Sequence, residues 1–177
     1  EEFALPAGSW VEGQLATSMK EAGFDYALDI NFSADLTIME EASELVERIT
    51  TGGVLPQFTS CCPAWVKFVE YYYPDLLDHV SSTRSPIGMQ GPVVKTYFAE
   101  KNNLDPHKIF NVTLTPCVAK KFEISRSELH GAADYYGDDT IKDNDVILCA
   151  REYANLLRKK GLDNFAEMKE SRFDPLM

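Results

Sequence analysis

Hydrophobic residues along the chain fall into short runs that alternate with longer stretches of helical spacing. Four short runs are rich in β-forming residues and bounded by Gly, Pro or Asp, which is typical of strands. They are Tyr26 to Ile30, Val54 to Phe58, Ile109 to Leu114 and Val146 to Cys149. Five stretches have apolar residues at helical spacing. They are Trp10 to Gly23, Ala34 to Thr50, Pro63 to Tyr72, Pro86 to Lys101 and Arg151 to Lys160. This alternation predicts βαβ units.

The predicted strands are continuously apolar rather than alternating, which is typical of a sheet covered on both faces. We therefore expect an α/β fold with a parallel β-sheet of about four strands and helices on both faces. The 177 residues match the length of one domain, so residues 1–177 are expected to form a single α/β lobe. The acidic stretch Gly131 to Asp145 is expected to be a surface loop. Its aspartates do not have the spacing of an EF-hand, so calcium binding is not predicted.

Composition narrows the possible classes of function. Hydrophobic residues make up 45% of the chain and charged residues 25%, as in globular proteins that need no disulfides. The 17 basic and 28 acidic side chains give a net charge of −11, which repels phosphate backbones, so no nucleic acid partner is expected. No apolar stretch approaches the roughly 20 residues of a membrane span. The first residues lack the features of a signal peptide, and we expect a cytoplasmic protein.

Four cysteines, at positions 61, 62, 117 and 149, include no CxxC pair, which excludes a zinc ribbon or a thioredoxin motif. Cys61 and Cys62 lie between a predicted strand and the predicted helix that begins at Pro63, and Cys117 follows another predicted strand. Ligands of open α/β sheets bind at the carboxyl ends of the strands. Helix N-termini at that edge favour the thiolate, which is the form that binds metals. Cys149 is expected to be a small core residue.

A 4Fe-4S cluster needs about four thiolates. Cys62 and Cys117 are the stronger candidates, ahead of Cys61 and Cys149, so the count falls short of a closed site and indicates a missing part. A metal-free redox pair of Cys61 and Cys62 is the alternative that these residues leave open. Lys120 lies three residues after Cys117, so in a helical turn its ammonium would share the mouth of the thiol site and could bind an anionic ligand.

The predicted helix Ala34 to Thr50 has an apolar stripe with an acidic flank, and the stripe is expected to border a buried face. The stripe consists of Ile38, Ala42, Leu45 and Ile49. The flank consists of Glu41, Glu44 and Arg48, at positions i, i+3 and i+7. A charge-paired, solvated face explains this spacing, and so does a proton relay leading toward the thiols. Ser81 could extend such a relay.

Two segments resemble the first two of three signature motifs of the [FeFe]-hydrogenase large subunit. They are TSCCPAW at Thr59 to Trp65 and TPCVAKKFE at Thr115 to Glu123. The resemblance extends from Asp35-Leu36-Thr37-Ile38-Met39-Glu40-Glu41 to the last residues and covers essentially the whole chain. It implies one lobe of a two-lobed active-site domain that holds the H-cluster. This cofactor is a 4Fe-4S cubane joined to a di-iron subcluster with carbonyl, cyanide and dithiolate ligands. The implied reaction is the reversible reduction of protons to H2.

The resemblance also implies roles for individual residues. Cys62 and Cys117 would bind the cubane, and Lys120 would hydrogen-bond a cyanide of the di-iron unit. Cys61 would pass a proton to the amine of the dithiolate. The implied proton path from solvent to Cys61 consists of Glu41, Ser81, Glu44 and Arg48.

Thr115 and Pro116 complete the implied cofactor-binding set, although Thr115 replaces the methionine of typical members. The third motif, which supplies the other two cysteines, is absent before the last residue, Met177. We therefore expect a hydrogenase fragment that is inactive alone. Its expected partners are the remainder of the chain with the second lobe, and an electron carrier such as ferredoxin. The alternative is a non-catalytic relative. It could be a hydrogen sensor, and Thr115 is compatible with this alternative. It could also be an iron–sulfur carrier, but such carriers tend to lack the thiol at the position of Cys61, so the presence of Cys61 argues against one.

Overall fold

The computed structural model describes residues 2–177, which are mostly helical. The α-helices are α1 (Glu12–Glu21), α2 (Asn31–Thr51), α3 (Pro63–Tyr72), α4 (Pro86–Val93), α5 (Ala99–Lys101), α6 (Lys120–Glu123), α7 (Gly131–Tyr136) and α8 (Ala150–Lys159). A π-helical segment, Val94–Phe98, joins α4 to α5, and 3-10 turns lie at Pro74–His79, Pro106–Lys108 and Phe165–Glu167. The strands are β1 (Val112–Thr115) and β2 (Val146–Cys149). Within residues 2–177, no helix has the length and apolar character needed to cross a membrane.

Strands β1 and β2 pair in a small parallel sheet. The α/β class is confirmed, but the prediction of about four strands was wrong, because the described residues form a sheet of two. The other two predicted strands each contribute one parallel bridge, between Leu28 and Asp174 and between Phe58 and Val80. An apolar run becomes a strand only where a neighbouring segment can pair with several of its residues. Here each run meets such a neighbour at a single position.

The predicted helices are present, with ends shifted by at most three residues. The predicted helix Pro86 to Lys101 consists of α4, the π-helical segment and α5 in succession. Pro92 lies inside α4 and has no N–H to donate, while the Thr96 hydroxyl donates to the Pro92 carbonyl at 2.7 Å. The disturbed hydrogen-bond ladder accounts for the π turns that follow directly.

The chain divides into two compact units. The first contains residues 2–29, 114–116 and 148–177, and the second contains residues 30–113 and 117–147. The single lobe over residues 1–177 stays a prediction. The core of the first unit includes Tyr153, Leu157, Phe165 and Met168. Burial raises the pKa of Tyr153, although a hydrogen bond of 2.7 Å with the Ser18 hydroxyl acts in the opposite direction.

Helix α8 begins at Cys149, which acts as its N-cap. The Cys149 N–H donates to Glu152 Oε2 at 2.8 Å, and the sulfur accepts an N–H of the first turn, which completes a capping box. Cys149 is half-buried. It is therefore a structural residue, as expected, but its place is the end of a helix rather than the core.

In the second unit, α2 is attached to its neighbours through a polar face. Ser33 and Thr37 are its buried residues. The Ser33 hydroxyl donates to Gln90 Oε1 of α4 at 2.5 Å, and the Thr37 hydroxyl donates to the Arg84 carbonyl at 3.2 Å. The face that packs within the unit is thus formed by small polar side chains.

The apolar stripe of α2 is exposed, so the expectation that it borders a buried face was wrong. Ile38 exposes 64% of its surface and Ile49 exposes 60%. Leu45 and Ala42 are exposed as well. The hydrogen bonds of Ser33 and Thr37 fix the rotation of the helix, which directs the stripe away from α4.

The stretch Gly131 to Asp145 begins with α7, which corrects the expectation of a surface loop. Buried Asp143 accepts the N–H of Gly131 at 2.9 Å and the N–H of Ala132 at 2.7 Å, and Arg84 Nη1 lies 3.2 Å from the same carboxylate. Two otherwise unpaired donors of the first helical turn are thereby satisfied. The helix depends on a residue beyond its own C-terminus.

Candidate cofactor and proton-transfer site

The first cysteine motif lies at the start of α3, in the second unit. The Ser60 hydroxyl donates to the Thr83 carbonyl at 2.5 Å, which anchors the approach to the helix. Cys62 is the N-cap of α3, and Pro63 takes the first helical position, where its missing N–H has no cost. Cys61 and Cys62 are both exposed. The two thiols are therefore accessible to a ligand at a helix N-terminus.

The second motif follows β1. Thr115 is the last residue of that strand and is buried, whereas Pro116 is exposed. Cys117 is exposed as well, and its carbonyl accepts the N–H of Lys120 at 3.3 Å, where α6 begins. Cys117 thus follows the carboxyl end of a parallel strand, as the sequence predicted. None of the four cysteines, all of which the structure describes, is in a disulfide.

The Lys120 side chain connects the two motifs. Its Nζ donates to the Cys61 carbonyl at 2.6 Å and lies 2.7 Å from Glu123 Oε2. The Lys120 and Glu123 side chains are only 12% and 8% exposed, so the ion pair is largely shielded from water. Away from water, the two charges attract each other more strongly. The sequence analysis gave Glu123 no role, although its i, i+3 spacing from Lys120 was a usable signal.

Two further contacts hold the second motif, and the residues that directly follow it, against α3. Lys67 Nζ lies 4.6 Å from the centroid of the Phe122 ring. Arg126 Nη2 lies 2.5 Å from Glu70 Oε1, and this hydrogen bond raises the pKa of Arg126. With Lys120, these contacts give the two cysteine-bearing segments a fixed relation. Sequence reasoning missed both contacts because the partners are more than 50 residues apart.

Glu44 is the centre of a hydrogen-bond cluster between α2 and the segment that contains Ser81. Its Oε2 accepts from the Ser81 hydroxyl at 2.5 Å, and its Oε1 accepts from Arg48 Nη2 at 2.7 Å and Nε at 3.1 Å. The Ser82 N–H at 3.1 Å and the Thr83 hydroxyl at 3.4 Å also donate to Oε2. Burial acts to raise the pKa of Glu44, but the bonds from Ser81, Arg48 and Ser82 together lower it. Glu44 is therefore ionised at neutral pH.

Arg48 also joins α2 to neighbouring segments of the same chain through hydrogen bonds to backbone carbonyls. Nη1 donates to the carbonyls of Val54 at 3.2 Å and Asp78 at 2.9 Å, and Nη2 donates to the Val80 carbonyl at 3.0 Å. The guanidinium thus holds the Glu44 carboxylate and three backbone carbonyls at once. This is a positioning role, made possible by the planar fork of donors in arginine.

Glu41 is the member of the predicted relay that is not joined to this cluster. Its side chain is partly buried, and its backbone carbonyl accepts from Gln57 Nε2 at 3.1 Å. Within residues 2–177, no hydrogen bond links the Glu41 carboxylate to Cys61 or to Glu44. The structure therefore brings together Glu44, Ser81 and Arg48, and it leaves a gap on either side of Glu41.

A sequence profile of the family described as "Iron only hydrogenase large subunit, C-terminal domain" matches residues 1–177. The chain belongs to this iron-only hydrogenase family. One relative is the periplasmic [Fe] hydrogenase large subunit of Nitratidesulfovibrio vulgaris, which is 43% identical over 179 residues that cover 100% of this chain and 41% of that protein. The resemblance found in the two cysteine motifs is thereby confirmed.

The structure and a more distant relative agree with membership of the iron-only hydrogenase family. A variant of apo [FeFe]-hydrogenase HydA1 from Chlamydomonas reinhardtii is 39% identical, with a TM-score of 0.91 over 100% of this chain and 43% of that chain. The cytosolic Fe-S cluster assembly factor narfl of Xenopus tropicalis is 30% identical over 92% of this chain and 34% of that protein. The chain thus spans less than half the length of these relatives.

The donor set of this iron-only hydrogenase chain fits part of an iron–sulfur cluster. Thiolates are the usual ligands of such clusters, and Cys62 and Cys117 offer two exposed thiols on adjoining segments. In the part of the chain that the structure describes, no group of three His, Cys, Asp or Glu side chains is placed to bind a metal ion. A four-iron cluster therefore needs further thiolates in addition to this pair.

Proposed function

We propose that this chain is part of an [FeFe]-hydrogenase that catalyses the reversible oxidation of H2 and reduction of protons. The observation that carries the proposal is the Lys120 contact with the Cys61 carbonyl, because it joins two motifs that both present exposed thiols. Cys62 and Cys117 would bind the 4Fe-4S cubane of an H-cluster. When bound, this cofactor would supply the redox centre and, at a di-iron subcluster with carbonyl, cyanide and dithiolate ligands, the site for H2. With only two of these thiolates, the chain is expected to be inactive alone.

Lys120 is proposed to bind the cofactor through its cationic Nζ. Cyanide is an anionic ligand, and an ammonium in a site shielded from water can donate a strong hydrogen bond to it. The ion pair with Glu123 and the bond to the Cys61 carbonyl hold Nζ near the first motif. Thr115 and Pro116, at the end of β1, are proposed as further cofactor-binding residues.

Cys61 is proposed to exchange protons with the cofactor, and the Glu44 cluster is proposed to exchange them with solvent. The Ser81 hydroxyl donates directly to Glu44 Oε2, so a proton can pass between them without a bridging water. Arg48 keeps Glu44 ionised and correctly oriented. Glu41 would connect Ser81 with Cys61. Within residues 2–177, its carboxylate has no hydrogen bond to Ser81 or to Cys61, so a water molecule or a side-chain rotation has to close both steps.

The proposed partners follow from the same assignment. The remainder of the hydrogenase chain is the first, because this chain spans less than half of its relatives. A ferredoxin-type electron carrier is proposed as the electron acceptor, and H2 and protons are the proposed substrates. The cytoplasmic location stays a prediction, and the relative from N. vulgaris is named a periplasmic protein.

A non-catalytic iron–sulfur protein is the second candidate, and the similarity to the assembly factor narfl favours it. Such a protein would use the ligand cysteines without proton transfer. The higher identity to the hydrogenase from N. vulgaris and the presence of Cys61 favour catalysis. A hydrogen sensor is another form of the second candidate, and it would also have an H-cluster. Thr115, which replaces the methionine of typical family members, is the feature that favours a sensor.

The test is H2 evolution by the longer polypeptide after anaerobic cluster maturation, with Cys61→Ala as the variant and Cys149→Ser as the matched control. Loss of a proton-transfer group is expected to lower turnover about 10²-fold or more at unchanged iron content. Cys149→Ser removes a thiol that caps α8 and should retain activity. Near-normal turnover of Cys61→Ala would contradict the role of Cys61. A wild-type protein with a full iron content and no H2 evolution would favour the non-catalytic candidate.

A further inference from the structure

Helix α2 has a broad apolar face that the rest of the described chain does not cover. We define the α2 apolar face as Ile38, Met39, Leu45, Val46 and Ile49. Four of these side chains expose between 60% and 67% of their surface, and Leu45 exposes 38%. At 3.6 residues per turn, the five residues lie within an arc of about 120°. An arc of that width is what a helix normally buries against a neighbour.

The exposure is not a consequence of a loosely attached helix. Ser33 and Thr37 hold the buried face of α2 by hydrogen bonds, and Arg48 makes three more to backbone carbonyls outside the helix. Isolated exposed apolar residues are common on protein surfaces, but a contiguous apolar patch marks an interaction site. The α2 apolar face is therefore a fixed surface that lacks its partner within residues 2–177.

We propose that the α2 apolar face is the docking surface for the part of the hydrogenase polypeptide that lies outside these 177 residues. This inference rests on the proposed function. The chain spans 41% of the N. vulgaris subunit and 43% of the HydA1 chain, so more than half of a comparable polypeptide is available as the occupant. Any segment that completes the thiolate set has to reach Cys62. Gln57, which precedes that motif in the chain, donates to the Glu41 carbonyl, so α2 borders the segment that leads to Cys62.

A second copy of this chain is a poorer occupant because of charge. Each copy has a net charge of −11, and exposed Glu40 and Glu47 lie beside the α2 apolar face. Two such faces in contact would bring like charges together, and a large net charge keeps proteins monomeric. A diffusing electron carrier is also a poorer occupant, because the interfaces of transient electron-transfer complexes are small. The α2 apolar face has no charged residue, and an apolar interface core of this kind is typical of permanent association.

The test is hydroxyl-radical footprinting of the 177-residue chain and of the longer polypeptide, read by mass spectrometry at Met39. Met39 is 67% exposed here. If docking lowers the exposure of that side chain to roughly a tenth, as in the core of an interface, its oxidation should slow about sevenfold in the longer polypeptide. Tyr135, which is 62% exposed in the same unit, is the internal reference and should change less than about twofold. Equal Met39 rates in the two proteins would overturn the inference.

Two additional measurements separate the possible occupants. Protection of Met39 in the 177-residue chain that increases with protein concentration would assign the face to a second copy and overturn the inference. The variant Val46→Glu should leave the unfolding midpoint of the 177-residue chain unchanged and lower that of the longer polypeptide. Equal shifts in both proteins would also overturn it.

The footprint does not depend on catalysis, so the inference and the proposed function can fail separately. Met39 protection in a longer polypeptide that takes up iron but evolves no H2 would support the docking surface and contradict the hydrogenase proposal. H2 evolution by a polypeptide in which Met39 stays fully reactive would support the hydrogenase proposal and overturn the docking surface.

Discussion

Replacing Arg48 with methionine is expected to destabilise the fold by about 3 kcal/mol at neutral pH. Methionine retains most of the apolar stem but removes all donors. The lost interactions are two hydrogen bonds to Glu44 and three to backbone carbonyls. The Arg48 and Glu44 side chains are only 15% and 17% exposed, so water replaces these bonds poorly. Glu44 retains the donors of Ser81 and Ser82, which limits the loss to the lower part of the range for a broken buried ion pair.

The destabilisation should depend on pH, because Arg48 is one cause of the lowered pKa of Glu44. A carboxylate whose pKa is lowered by folding stabilises the folded state above its ordinary pKa of 4.5, and this contribution is lost as the pH falls through the folded value. In Arg48→Met, burial still raises the pKa of Glu44 while part of the opposing effect is gone. The difference between variant and wild type should therefore be largest near pH 7 and smaller below about pH 4.

Urea denaturation followed by far-UV circular dichroism at about pH 7 and pH 3.5 measures both quantities. Lys108→Met is the matched control, because the Lys108 side chain is 83% exposed and lies 3.8 Å from Asp105. Its effect should stay within about 0.5 kcal/mol at both pH values. A loss of less than about 1 kcal/mol for Arg48→Met, or an equal loss at both pH values, would refute the reasoning.

Two further substitutions test the second unit. Lys95 is 3% exposed, its Nζ lies 2.9 Å from Asp145 Oδ2, and Lys95→Met should lower the free energy of unfolding in urea by about 3–5 kcal/mol. Adding Asp145→Asn should recover part of this loss, and a double variant less stable than the single one would contradict the ion-pair explanation. Gly91→Ala should destabilise by about 1–3 kcal/mol, because the new Cβ would lie 2.4 Å from Asn144 Nδ2. Since alanine normally favours a helix, a thermal midpoint above that of wild type would show that this close contact relaxes without cost.

Helices were the predictable part of the fold because their signals are local. Pro63 at the first helical position and the apolar spacing after it define α3 without reference to other segments. Strands needed non-local information, since within the described residues the apolar run ending at Phe58 has only Val80 as its bridge partner. Helix α7 was missed for the same reason, because its first-turn donors are satisfied by Asp143. The exposure of Ile38 was missed because apolar spacing indicates which face of a helix is buried only when the partner is known.

The candidate site shows the same division. The positions of Cys62 and Cys117 at a helix start and a strand end were predictable from short motifs. For Lys120, the sequence predicted only that its ammonium would lie near the thiols. Its partner Glu123 was missed although the i, i+3 spacing is local. The contact with the Cys61 carbonyl joins segments 59 residues apart, which the spacing of residues in one segment cannot show.

In the proposed proton path, the orientation of one hydroxyl group determines how protons would pass the Glu44 cluster. Ser81 Oγ donates to Glu44 Oε2 and accepts the N–H of Thr83 at 3.1 Å, so its hydrogen is directed toward the carboxylate. After Ser81 has released that hydrogen and taken up another on its opposite side, the hydroxyl has to flip before it can serve again. In the proposed relay, each passage would therefore include one reset of the hydroxyl.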